Sequence, residues 1–235
     1  MLRRLLSKLN ERAPEVLSPT LTDRRYAEGE RIAAAGAPTT GRLTGIARRL
    51  EDGTARHSLA VMVGGERLGL RIGNDGSTAR LRLGMEVGLR IDGDGKAVLD
   101  LPDLAQGRLR KPPDDGIDDR ALDGRVQKAL KRWTPARARI VSVAQRTALG
   151  MPTRDFDVEL ELAGGGRCAD RGHEVPFYAA WLAAPGAEVP VVVDPGDGTR
   201  AVVDWPAAAR EHADRPGTLA DAPPDGGVAA LLLLR

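Results

Sequence analysis

A segment of strand, turn and strand occurs twice in this chain. The first copy occupies residues 84–95 and the second residues 186–198, so their starts are 186 − 84 = 102 positions apart. Upstream, residues 41–46 correspond to residues 138–143 at a slightly smaller offset, and the order of the parts is kept. The chain is therefore predicted to contain two copies of one small domain, separated by short insertions.

Alternating apolar and polar residues in each copy are typical of half-buried β-strands. In the first copy Val87, Leu89 and Ile91 alternate with polar residues, and the Asp-Gly sequences that follow suit a tight hairpin turn. In the second copy Phe156 and Val158 begin a similar alternation. About five such strands per copy have one apolar face to hide, and a small barrel hides it while leaving no open sheet edge.

The spacing of the first copy favours an SH3-like or plain meander barrel over an OB-like one. Residues 73–77 connect two predicted strands as a turn, at a place where an OB-fold usually carries a helix. Between the copies, the Pro-rich residues 111–116 are typical of a linker. Residues 117–133 are predicted to form a helix that braces one barrel against the other, with Leu122, Val126 and Trp133 on its apolar side.

The predicted fold is mainly β: two tandem small β-barrel domains, SH3-like or OB-like, with a short N-terminal helix, a linker helix and a flexible C-terminal tail. The predicted parts are an N-terminal helical segment (residues 1–36), barrel repeat 1 (37–104), linker and helix (105–134), barrel repeat 2 (135–206) and a flexible tail with an apolar tip (207–235).

The two copies also resemble a known kind of domain. An Ala-Ala-Ala-Gly-Ala-Pro segment at residues 33–38 precedes the first strand of copy one, and residues 185–195 with 202–205 close copy two. These segments resemble small β-domains that recur, often in tandem, in uncharacterised proteins of high-GC actinobacteria. The resemblance covers about residues 30–100 and 135–206. It implies a fold and no catalytic residues.

Both ends of the chain carry leucine clusters that are candidates for partner docking. Near the N-terminus they lie at the spacing of one helix face, with basic residues around them. This pattern predicts a basic amphipathic helix that docks on a partner or lies on an anionic membrane; the alternative is packing on its own barrel. The C-terminal cluster is either a docking peptide on a flexible tether or a last element that covers a barrel. The candidate docking residues are Leu2, Leu5, Leu6, Leu9, Leu231, Leu232, Leu233 and Leu234.

No arrangement of residues in the sequence indicates catalysis. Cys168, Asp170 and His173 lie close together, but a metal site needs three or four ligands and only two of these are strong ones. Neither Ser142 nor Cys168 has a nucleophile signature around it, and the glycines occupy hairpins rather than a phosphate-binding loop. The sequence therefore predicts a protein that is not an enzyme, without catalytic, metal-binding or cofactor-binding residues.

The charge balance argues against a global attraction to nucleic acid or anionic lipid, because the formal net charge is only +2. Nucleic-acid binding is the second hypothesis, through arginines that could form a basic face on copy one. These are Arg42, Arg48, Arg49, Arg67, Arg71, Arg80, Arg82 and Arg90. Copy one has no Phe, Tyr or Trp between positions 36 and 101 on which a base could stack.

The leading functional hypothesis is a non-enzymatic scaffold or adaptor that binds protein partners through its barrel surfaces and its apolar ends. Peripheral membrane association through the N-terminal helix is a further alternative. A single cysteine, no signal-peptide pattern and no apolar run of about 18 residues predict a cytoplasmic protein without a transmembrane segment.

Overall fold

The structure, a computed structural model, describes residues 21–51, 54–72, 81–100, 107–109 and 112–213. The prediction of a mainly β protein with a few helices is confirmed. In chain order the elements are α1 Leu21–Ala35, β1 Ala37–Glu51, β2 Thr54–Val63, β3 Glu66–Ile72, β4 Glu86–Ile91, β5 Ala97–Leu99, β6 Gly107–Leu109, β7 Gly116–Asp119, α2 Gly124–Arg132, β8 Thr134–Ala148, β9 Met151–Leu162, β10 Arg167–Glu174, a 3-10 helix Phe177–Leu182, β11 Glu188–Asp194, β12 Asp197–Val203 and α3 Trp205–Glu211.

The second sheet is a closed five-stranded barrel with the strand order β10-β12-β11-β8-β9, in which β9 also pairs with β10. Its alternating residues behave as the sequence predicts, since Phe156, Val158 and Leu160 of β9 all point into the core. The strand order differs from that of a plain meander, because β11 pairs with β8 rather than with β10. Closure between β10 and β12 is short and parallel, with one residue pair, Ala169 and Arg200.

The first sheet repeats this strand order without closing. Its strands follow the order β5-β4-β1-β2-β3-β6, so β1 to β5 pair with one another as β8 to β12 do along β12-β11-β8-β9-β10. The edge strands β5 and β6 contact each other but are not hydrogen-bonded neighbours. The result is a half-barrel. The turns before β4 and β11 also match, because Gly84 (φ +86°) and Gly186 (φ +89°) adopt the same left-handed conformation.

One hydrophobic core serves both sheets. Leu59 and Met85 of the first half and Leu160 and Val189 of the second belong to one continuous cluster of buried side chains. The 3-10 helix of the second half takes part in this core, and its Tyr178 is completely buried. Phe177 in the same helix packs edge-on against His57 of β2, with ring centroids 4.6 Å apart. The two halves of the chain are therefore fused through their apolar faces.

The segment between the two halves differs from the prediction. The expected helix over residues 117–133 begins only at Gly124, because Gly116–Asp119 form β7, which pairs in parallel with β1. Gly45 allows the approach, since a Cβ atom there would lie 2.3 Å from the carbonyl oxygen of Asp114. Helix α2 packs on β11 and β12 of its own barrel, and the 3-10 helix, rather than α2, provides the apolar contact between the sheets. The predicted tail also begins with helix, α3.

Candidate functional site

A polar cleft of about 530 Å³ opens where the two halves of the chain meet. Arg48 and Leu50 of β1 lie on one side of it, and the start of α2 lies on another. The polar lining of the cleft also includes Arg146 of β8 and His173 of β10. The segment between the two sheets forms part of the cleft, because its strand β7 pairs with β1 and helix α2 follows directly.

A buried carboxylate–imidazole pair forms one wall of the cleft. Asp170 is only 2% exposed, and its Oδ2 accepts the backbone N–H of Val203 at 2.9 Å. Its Oδ1 bonds to Nδ1 of His173. The hydrogen bond to Asp170 raises the pKa of His173 above its ordinary value, against the opposing effect of burial, and the charges of Asp170, Asp123 and Asp155 raise it further. The imidazolium form of His173 is therefore more stable here than that of a free histidine.

A second buried network lies behind Arg48. The guanidinium group of Arg48 bonds to Asp119 of β7 at 3.3 Å and to Glu174 of β10, so it ties the two halves together. Tyr178 donates its hydroxyl to the same Asp119 carboxylate at 2.7 Å. Burial opposes the charged form of Arg48, but Glu174 and Asp119 outweigh it and raise the pKa of Arg48. Burial, with Asp119 nearby, raises the pKa of Tyr178 well above its usual value, so the phenol stays protonated.

The cleft supplies charged and acid–base groups, and its described lining contains no serine, threonine or cysteine, so it offers no hydroxyl or thiol nucleophile. Cys168 lies in the hydrophobic core, where burial raises the pKa of its thiol and keeps it protonated. Within the described residues, no group of three or more His, Cys, Asp and Glu side chains is placed to hold a metal ion. The arrangement is suited to hydrogen bonding and to holding the two halves together.

Comparisons with protein-family models, curated proteins and solved structures find no match to this chain. In the described part of the chain, no helix has the length and apolar character needed to cross a bilayer.

A two-stranded arm extends from the closed barrel. β8 pairs with β11 only over residues 134–139, and β9 pairs with β10 only over residues 155–161. The arm, residues 145–154, is held by pairing between β8 and β9 and by local side-chain bonds. Gln145 donates to the carbonyl of Thr153 at 2.6 Å, and the Thr153 hydroxyl donates to the carbonyl of Arg146 at 3.0 Å.

The tip of the arm is apolar and fully exposed to solvent. Leu149 is 104% exposed and Met151 is 70% exposed. Leu149 and Gly150 both have positive φ, of 51° and 77°, which gives the tip the backbone of a type I′ hairpin turn. An L-residue with a branched side chain is disfavoured there by about 1–2 kcal/mol. Neither solvation nor backbone conformation therefore favours a leucine at this position.

The outer face of the barrel beside the arm carries compensated charge. Asp157, Glu159 and Glu161 line the solvent side of β9. Arg171 pairs with Glu159 and lies 3.9 Å from Asp157, while Arg146 lies 3.8 Å from Asp157. This face is a mixed salt-bridged surface without aromatic side chains.

The predicted docking leucines at both ends, residues 2–9 and 231–234, lie outside the described residues, so docking and membrane contact there stay predictions. Most arginines of the predicted basic face are engaged within the chain. Arg48, Arg49, Arg67 and Arg90 form ion pairs, Arg82 lies 5.4 Å from the ring centre of Trp181, and Arg80 lies outside the described residues. Nucleic-acid binding through this face also stays a prediction.

Sequence reasoning missed the arm. The signal that could have found it is the stretch of residues 145–154, which contains no acidic residue and places Leu-Gly at the centre of two polar strand segments. A Leu-Gly pair is a weak turn signal beside Asn-Gly or Asp-Gly, so the extension of β8 and β9 past the barrel was not visible.

Proposed function

We propose that this protein is a non-enzymatic adaptor that binds a protein partner through the tip of the arm. The observation that carries the proposal is the pair of apolar side chains, Leu149 and Met151, held in solvent on a projecting hairpin. Burying such side chains in a partner contributes about 1.5–3 kcal/mol each, enough for an anchor at the centre of an interface. The fused sheets serve as the platform that presents the arm.

The second barrel is proposed to be of the OB type. Its order, written from its own first strand, is 1-2-3-5-4-1, and its third and fifth strands are parallel. In OB barrels the loop between strands 1 and 2 and the face of strands 2 and 3 bind ligands. The arm occupies the position of that loop, so its place in the barrel supports a role in binding. We also propose that this chain belongs to the group of tandem small β-domain proteins of high-GC actinobacteria that its two copies resemble.

The surroundings of the arm favour a protein partner over a nucleic acid at this site. A nucleic-acid platform on strands 2 and 3 needs aromatic side chains within a basic groove. Here the corresponding face carries Asp157, Glu159 and Glu161, which are partly neutralised by arginines. A leucine and a methionine on a projecting hairpin instead match an apolar pocket on a protein.

We also propose that the protein is located in the cytoplasm.

The test is a capture experiment with three forms of the full chain. Wild type, the Leu149→Ser/Met151→Ser variant and a Leu50→Ser control are used to retain proteins from a cytoplasmic extract, which are compared quantitatively. Leu50, near the end of β1 on the wall of the cleft, is also an exposed leucine, 57% exposed, so the control removes similar apolar surface away from the tip of the arm. We expect a set of proteins that wild type and the control retain and the arm variant loses.

Site-specific photo-crosslinking then identifies what touches the tip. A crosslinker at position 149 is expected to give a product with a different protein, and one at position 50 is not. A crosslinked product that contains only a second copy of this chain would contradict the adaptor role and indicate a homo-oligomer. If the arm variant retains the same proteins as wild type, the tip of the arm is not the binding site.

A further inference from the structure

One face of helix α2 is buried and the other is exposed to solvent. Its apolar side is buried, since Val126 and Ala129 pack against Val192 and Val202 of the barrel. Its remaining side is exposed and carries four cations, Arg125, Lys128, Lys131 and Arg132. We call these four residues the basic ridge. The helix contains no acidic residue.

Arg125 lies at the cleft, whose described lining also contains Asp155 and Glu174, but the described residues form no ion pair with the basic ridge. By contrast, arginines of the first sheet such as Arg49 are paired, in this case with Asp118 at 2.9 Å. Asp123, the acidic residue closest to the ridge in sequence, uses its carboxylate to accept the backbone N–H of Arg125 at 2.7 Å as the helix N-cap.

The like charges of the basic ridge destabilise helix α2. Lys128 has like charges three and four positions away, at Arg125, Lys131 and Arg132, and such pairs are unfavourable. Arg125 in the first turn also opposes the helix dipole, although Lys131 and Arg132 in the last turn favour it. A row of unpaired cations that repel each other is relieved by an external polyanion.

We propose that the basic ridge binds the phosphate backbone of nucleic acid without reading its sequence. The ridge runs from Arg125 to Arg132, about 12 Å at 1.5 Å per residue, and a duplex offers one phosphate charge per about 1.7 Å of its axis. The apolar side of α2 is already buried in its own barrel, so the helix cannot insert into a lipid surface as an amphipathic membrane helix does. Lysine and arginine contacts to phosphate carry no base information, hence the lack of sequence preference.

This site is separate from the arm tip, and its test does not depend on the adaptor. Fluorescence anisotropy of a labelled 20-base-pair DNA duplex is measured with the full chain between 50 and 200 mM salt. Four phosphate contacts predict a slope of about −3.6 for log K against log salt, so binding weakens about 150-fold over this range. Lys128→Gln/Lys131→Gln is expected to reduce the slope to about −1.8, a loss of about 12-fold over the same range.

The control is Arg49→Gln/Arg120→Gln, which removes the same charge from two arginines that already pair with Asp118. We expect its slope to match wild type. Circular dichroism of each variant shows that α2 and the sheets are retained. No binding at 50 mM salt, or equal slopes for the ridge variant and the control, would overturn the proposal. Binding to vesicles containing anionic phosphatidylserine but not to the duplex would overturn it in favour of a membrane surface.

Discussion

Asp170 closes the second barrel, and its replacement by alanine is expected to be costly. The β10–β12 ladder has one residue pair, and the Asp170 carboxylate accepts the Val203 N–H at 2.9 Å where a further ladder bond would otherwise lie. The Asp170→Ala variant leaves this buried N–H without an acceptor, which costs about 1–3 kcal/mol. It also removes the bond to His173, a contact between charged groups that contributes about 1.5–3 kcal/mol. We expect a loss of about 3–5 kcal/mol in unfolding free energy.

The Asp170→Asn variant separates the two contributions. Its side-chain oxygen can still accept the Val203 N–H, so the loss should be smaller, and the charge that raises the pKa of His173 is gone. A histidine whose pKa is raised on folding stabilises the folded state below its unfolded pKa of about 6.5, and this stability is lost as pH rises through the folded pKa. Wild type should therefore exceed Asp170→Asn by more at pH 5.5 than at pH 8.5.

Urea unfolding at pH 5.5 and pH 8.5 measures both effects. Glu161→Ala is the control, because Glu161 is an exposed residue of β9 in the same barrel that neither lines the cleft nor contributes to the raised pKa of His173; we expect it to change stability by about 0.5 kcal/mol or less. A loss below about 1 kcal/mol for Asp170→Ala would contradict its role in closing the barrel. A difference between wild type and Asp170→Asn that does not shrink with rising pH would contradict the role of His173.

Three further expectations follow from the same structure. Gly84→Ala should destabilise by at least about 2 kcal/mol, since its Cβ would lie 1.6 Å from the Ala213 carbonyl oxygen, whereas Gly186→Ala, with the same φ and open space, should cost only the conformational strain of about 1–2 kcal/mol; thermal denaturation compares them. Leu149→Asn should stabilise by about 0.5–1 kcal/mol in urea, because asparagine tolerates positive φ, and Leu50→Asn should not. Unfolding should be a single transition because one core serves both sheets, so fluorescence of the three tryptophans, all in the second half, should coincide with circular dichroism of the whole chain.

The parts of the fold that the sequence predicts are those whose pattern is local. Val87 and Leu89 alternate with polar residues, and both are buried in β4. The strands β6 and β7 have three and four residues and no apolar alternation of their own, so they exist only because the edges of β3 and β1 are available to pair with them. Their formation depends on long-range contacts, which local periodicity does not contain.

The candidate site shows the same limit at the level of single residues. The sequence places Asp170 and His173 near each other, but an odd spacing in a regular strand puts the two side chains on opposite faces. A register shift between Arg171 and His173, at Gly172 with φ +68°, breaks the alternation and turns His173 toward Asp170. A bulge of this kind moves every following residue to the other face. Cys168, at an even spacing from Asp170, points inward with it and lies in the core.

The two sheets have the same strand order, but only the second one closes, and the two halves are fused rather than merely linked. In the second half, the third strand β10 meets the fifth strand β12 and the barrel closes. In the first half, the edge of the third strand β3 is taken by β6, so the fifth strand β5 stays unpaired on that side and the sheet remains open. Phe177 of the 3-10 helix packs against His57 of this open sheet and, together with Tyr178, belongs to the common core. In the first sheet β6 thus occupies the strand edge that β12 occupies in the second, and the open sheet and the closed barrel share one hydrophobic core.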